Sequence, residues 1–80
     1  MQFLEEKIEQ IISEKIFELT YKKISSTNEE LIDSGILSSI TIAELAVELE
    51  KEFNQSISFM EVTKENFKTV NAIKNLFLKK

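Results

Sequence analysis

Three stretches of this chain repeat their apolar residues at helical spacing, and the widest interval between them carries no such repeat. Leu4, Ile8, Ile11, Ile12, Ile16 and Leu19 share one side of a helix turning about 100° per residue, which predicts a first helix from about residue 2 to 19. Lys15 falls inside that stripe and is expected to extend its amine outward along its stem. From Tyr21 to Ser38 the period fades and turn formers collect: Ser25, Ser26, Thr27, Asn28, Asp33, Ser34 and Gly35. A loop of that length in a small domain is usually functional or disordered. Leu31, Ile32, Ile36 and Leu37 are its expected anchors to the core.

The second helix is expected from about Ser39 to Phe53, and its wheel has two apolar strips. Ile42, Leu45, Ala46, Leu49 and Phe53 form a coherent core stripe. Ile40, Ala43 and Val47 project almost oppositely, flanked by Glu44 and Glu50 and on the same side as Ser39. This second strip has no evident core to enter, and its acidic borders suit a docking surface, although single exposed aliphatics are common. Gln55 to Ser58 reads as loop. Thr63 caps a short helix through about Phe67, and Thr69 caps a last one with the stripe Val70, Ile73, Leu76 and Phe77. Ile57, Phe59, Met60, Val62 and Phe67 have mixed spacing and are expected to plug the junction between helices. No repeat, linker or low-complexity tract divides residues 1–80, so one domain is expected. The fold expected is an all-α bundle of three longer helices and one short one, with a long loop before the second helix.

The chain has no cysteine, histidine, arginine, tryptophan or proline. That removes thiol nucleophiles, disulfides, imidazole bases and nearly every soft metal ligand, leaving carboxylates, lysines, hydroxyls and Tyr21. Reactive chemistry would have to be borrowed from a cofactor, which argues against an enzyme. Eighty residues also leave little room for a deep catalytic cavity. No stretch reaches the roughly 20 apolar residues of a membrane span, and no signal-peptide-like run opens the chain, so a cytosolic location without membrane insertion is expected.

The net charge of −4 hides a stronger asymmetry. Residues 1–24 sum to −1, residues 25–62 to −7 and residues 63–80 to +4. Acid therefore concentrates around Ser39 and the helix after it, a patch that repels nucleic acid and attracts basic protein surfaces with salt-sensitive steering. The lysine-rich tail lacks the arginine and interleaved aromatics of a nucleic-acid site. Ser39 follows the Asp33–Ser34–Gly35 turn and opens the second helix. Outward-pointing N–H groups and the helix dipole make that position suited to a phosphate ester, although a serine beside a helix start is most often a cap.

The segment IDSGILSSITIAELAVELEKEF, Ile32 to Phe53, closely resembles the prosthetic-group segment of acyl carrier proteins, and ISFMEVTKENFKTVNAI resembles their third-helix region. The likeness extends from the first helix through Phe77 and implies the small acyl-carrier-like bundle of four helices. It implies further that Ser39, followed by the aliphatic Ile40, carries 4′-phosphopantetheine drawn from coenzyme A. The thiol of that group would hold acyl or aminoacyl thioesters and so supply the missing cysteine. Ile40, Ala43, Glu44 and Val47, with Ser38, match positions that meet a phosphopantetheinyl transferase and the loading ligases, synthases or transferases with basic docking surfaces. The DSGIL turn is similar to that of D-alanyl and other aminoacyl carriers, and both fatty-acid synthesis and a dedicated pathway stay open. A monomer is the expected state.

One position departs from the family pattern. Ser38 stands where an aspartate usually precedes the modified serine, an aspartate associated with positioning metal and phosphate during transfer. Serine keeps the capping ability and loses the carboxylate. An unmodified carrier-fold interaction module is the alternative function.

Overall fold

The computed structural model describes residues 4–79. Helix α1 spans Glu5–Thr20, α2 Ser39–Phe53, α3 Lys64–Phe67 and α4 Val70–Leu78, with a 3-10 turn over Phe59–Glu61. This is the expected layout, three longer helices and one short one with the long loop between α1 and α2. Among the described residues, α1 packs against both α2 and α4, and α3 packs against α4.

The helical stripes meet in one core. Ile12, Ile16, Leu31, Leu45, Leu49, Phe67, Val70 and Ile73 are entirely enclosed, and Phe53 packs against Phe77 with the rings tilted and their centroids 5.2 Å apart. Ile42 and Ala46 join them from the inward face of α2, and Leu19, Ile24, Ile32, Ile36, Ile57 and Val62 pack on the periphery. Leu4 is a correction: it is the N-cap of α1 and 77% exposed, because the helix starts at Glu5 rather than near residue 2. The part of that expectation that concerns residues 1–3 lies outside the described residues.

Two lysines fasten α1 to its neighbours. Lys15 does not turn its amine to open solvent; the amine reaches the acidic edge of α2, 3.4 Å from Glu52 and 4.0 Å from Glu48, with Glu18 at 3.5 Å. Burial alone would lower its pKa, but Glu18 and Glu52 together outweigh that and raise it. Lys74 sits within the apolar stripe of α4 and places its ammonium 2.7 Å from Glu9 and 3.3 Å from Glu5 of α1. The hydrogen bond to Glu9 raises its pKa against the cost of burial, and Glu5 adds to the rise.

The loop of residues 21–38 is tied down by three hydrogen bonds to residues 68–71. Leu31 N–H donates to the Lys68 carbonyl at 2.7 Å, Asn71 N–H to the Thr27 carbonyl at 3.0 Å, and the Asn71 amide to Asn28 Oδ1 at 2.5 Å. These bonds clip the loop onto the junction between α3 and α4 and satisfy backbone groups that would otherwise be costly beside the core. Gly35 N–H closes a turn onto the Ile32 carbonyl at 3.0 Å with φ +85°. A Cβ at Gly35 would meet nothing within 4 Å, so the left-handed backbone rather than crowding calls for glycine there. That turn sends Leu37 back into the core, with its N–H on the Leu31 carbonyl at 2.8 Å, and delivers Ser38 to the start of α2.

Candidate functional site

The start of α2 is built by reciprocal capping. Ser38 Oγ accepts the Thr41 N–H at 3.3 Å, while Thr41 Oγ1 accepts the Ser38 N–H at 2.6 Å. Such a box satisfies two backbone donors that a helix end leaves open. The usual third-position acid of the motif is replaced here by Thr41, and the first turn of α2 contains no acidic residue. Ser38 is therefore committed to the cap through both its hydroxyl and its backbone.

Ser39 is the first residue of α2 and is exposed. Among the described residues its hydroxyl makes no hydrogen bond, so the side chain that would carry a modification is not holding the helix together. The open N–H groups of the first turn and the positive end of the helix dipole lie beside it. An anionic phosphodiester fits that environment: the donors are present, and no carboxylate in the first turn opposes it. Negative charge returns one turn later at Glu44.

The outward strip of α2 is as the helical wheel places it. Ile40 is 73% exposed and Val47 48%, with Ala43 and Glu44 exposed beside them. Ser39, Ala43, Val47, Glu50 and Asn54 continue one line along the helix at steps of four, four, three and four residues. The inward stripe occupies the opposite side.

Phe59 and Met60 are a correction. They were expected to plug the helix junction, yet they are 90% and 83% exposed. The cause is a second capping box: Ser58 Oγ accepts the Met60 N–H at 3.1 Å, and Glu61 Oε1 accepts the Ser58 N–H at 2.8 Å. The box winds Phe59–Glu61 into the 3-10 turn and leaves both large side chains at the surface. Ile57, Val62 and Phe67 do fill the junction, with Phe67 fully enclosed.

Sequence reasoning missed Glu50 as a fastener, whereas Gln55 to Ser58 is irregular chain as expected. Glu50 Oε2 accepts the Ile57 N–H at 2.8 Å, which folds the segment after α2 back along the helix. Gln55 N–H donates to the Glu50 carbonyl at 3.1 Å, after Asn54 turns the chain with φ +53°. Asparagine in that left-handed C-terminal position was the available signal. Nothing in the local pattern announces the role of Glu50, because its partner lies seven residues on in irregular chain.

A family model described as phosphopantetheine attachment site matches residues 6–77. A D-alanyl carrier protein of Streptococcus suis is 35% identical over 66 residues, a match covering 82% of this chain and 75% of that protein. A D-alanyl carrier protein of Streptococcus pyogenes serotype M5 is 34% identical over 67 residues, covering 82% of this chain and 85% of its own.

Proposed function

Because the chain belongs to the phosphopantetheine carrier family, whose members are non-catalytic and bear 4′-phosphopantetheine, we propose that residues 1–80 act as one carrier domain modified at Ser39 and loaded with a short acyl or aminoacyl group. The observation that carries this reading is the division of labour at the start of α2. Ser38 holds the helix end, and Ser39 stands beside it with an unused, exposed hydroxyl at an anion-favouring turn. When bound, the prosthetic group supplies a terminal thiol on which cargo is held as a thioester.

The chain's own residues orient and present. Ser38 and Thr41 fix the first turn so that the Ser39 hydroxyl faces outward from the bundle. Glu44 and the acidic borders of α2 attract the basic surface of a phosphopantetheinyl transferase or loading ligase, and Ile40, Ala43 and Val47 supply apolar contact once it arrives. A small aminoacyl cargo is supported by the D-alanyl carrier relatives and by a core in which Leu45, Leu49, Phe67, Val70 and Ile73 leave no exposed surface. No helix among the described residues is long and apolar enough to cross a membrane.

Intact mass spectrometry after incubation with coenzyme A and a broad-specificity transferase tests the reading. One phosphopantetheinyl increment is expected on the wild type and none on Ser39→Ala, which should stay folded because the Ser39 hydroxyl makes no hydrogen bond among the described residues. Peptide mapping of the group to Ser34 or Ser38 would overturn the assignment. An increment on neither protein would favour the unmodified interaction module.

A further inference from the structure

Helix α2 carries five charged side chains, and the rest of the bundle engages three of them. Glu48 and Glu52 stand 4.0 and 3.4 Å from the Lys15 ammonium of α1, and Glu50 Oε2 accepts the Ile57 N–H at 2.8 Å. Glu44 and Lys51 are left over. Both are exposed, and neither side chain makes a hydrogen bond or an ion pair among the described residues. The two share a face: seven residues at about 100° each fall about 20° short of two full turns, so Glu44 and Lys51 point the same way, about 10 Å apart along the axis. Ile40, Glu44, Val47 and Lys51 follow one another at steps of four, three and four residues. The exposed face therefore reads apolar, acidic, apolar, basic as it runs away from Ser39.

That order gives the face a direction. Glu44 stands about 8 Å along the helix from Ser39 and Lys51 about 18 Å. Their own separation exceeds the screening length of about 8 Å at physiological ionic strength, so neither charge satisfies the other. Lys51 lies in the last turn of α2, where any cation eases the helix dipole, but Glu44 lies past the first turn and has no such local role. An open cleft walled by Val47, Glu50, Lys51 and Asn54 leaves room for a partner side chain beside the ammonium. The one carboxylate in that wall, Glu50, is already bonded to Ile57.

We propose that Glu44 and Lys51 orient the enzyme that modifies Ser39, a phosphopantetheinyl transferase that lays a basic side chain over Glu44 and a carboxylate over Lys51. The inference rests on attachment at Ser39, as proposed above. Ser39 lies at one end of the face, so only one of the two ways of laying an enzyme along α2 brings its active site to the hydroxyl. A wholly acidic face attracts a basic surface in either direction. With Lys51 in place, the reversed enzyme meets a like charge at both points and is rejected. Glu44 draws the partner in, and Lys51 decides which way round it lands.

The test uses the full chain, coenzyme A and the phosphopantetheinyl transferase of the cell that makes this protein, with the mass increment followed over time at low and high salt. Lys51→Glu makes the face wholly acidic, and steering by net charge alone would speed its modification. Orientation by two charges requires the opposite: kcat/KM should fall by about tenfold at low salt and by less at high salt, with Lys51→Gln in between. Glu44→Lys combined with Lys51→Glu reverses the order while leaving the net charge at −4, and it should lose more than Lys51→Glu does. Denaturant midpoints separate these losses from unfolding, since both side chains are exposed and the variants should stay folded at the assay temperature. A Lys51→Glu protein or a double variant modified as fast as wild type would overturn the orienting role and leave attachment at Ser39 standing. A wild type that gains no mass would overturn the carrier reading and the orienting role with it.

Discussion

The two apolar strips of α2 are made of similar residues and meet opposite fates. Ile42, Leu45, Ala46, Leu49 and Phe53 are buried against the rest of the bundle, whereas Ile40, Ala43 and Val47 lie in solvent on the far side. The inward strip is needed for a fold: burial of a full aliphatic side chain contributes about 1.5–3 kcal/mol, and a small domain cannot forgo several. The outward strip contributes nothing of that kind in the isolated chain. Its edges are also treated differently, since Lys15 ties Glu48 and Glu52 to α1 while Glu44 is left exposed. A helix needing only a core face would be amphipathic once; this one is apolar twice, and the second strip starts beside Ser39.

The comparison breaks most visibly at Leu45. Leu45→Ala should cost about 2–5 kcal/mol in denaturant unfolding, because the side chain is fully enclosed, while Val47→Ala should stay within about 0.5 kcal/mol of wild type. Equal losses would mean that the outward strip is part of the core. On the functional side the ranking should invert. Val47→Asp should weaken association with a transferase by about tenfold at any salt, whereas Glu44→Lys should lower mainly the on-rate, by a factor that shrinks as ionic strength rises. Surface-binding kinetics at two salt concentrations separate the pair, and variants that associate like wild type would remove the strip from the docking face. The smallest effect is at the cap. Ser38→Asp should leave the fold intact and add about 0.3–1 kcal/mol through the helix dipole, and it should speed transfer to Ser39, since a carboxylate holds a metal that a neutral hydroxyl holds poorly. An unchanged or slower initial transfer rate would mean that the Ser38–Thr41 box already suits its transferase.

Both strips of α2 were legible because a helical wheel depends only on neighbours in sequence. The bounds Ser39–Phe53 and the caps Thr63 and Thr69 were readable for the same reason, as was the position of Ser39 beside the turn closed at Gly35; that Ser38 rather than Ser39 is the cap of α2 came from the structure. Legibility ended where geometry depended on distant chain or on short irregular segments. Lys74 breaks an apolar stripe, and only its partners on α1, Glu9 and Glu5, explain it. Phe59 and Met60 suggested core by composition, but the Ser58–Glu61 box controls their direction.

The bonds between Lys74 and the first turns of α1 join the first and the last of the described helices. One consequence is temporal. During synthesis α1, α2 and the long loop emerge with their apolar faces uncovered, since Val70, Ile73, Leu76 and Phe77 complete the core only when α4 follows. At about 5–20 residues per second the wait is short, yet it fixes an order of events. Ser39 is translated long before the turn that presents it has a stable bundle to stand on, so a transferase that requires the folded turn is expected to act only once α4 has packed. Stalled nascent chains ending before residue 70 should remain sensitive to protease and unreactive with a transferase, and chains long enough to free α4 should be neither.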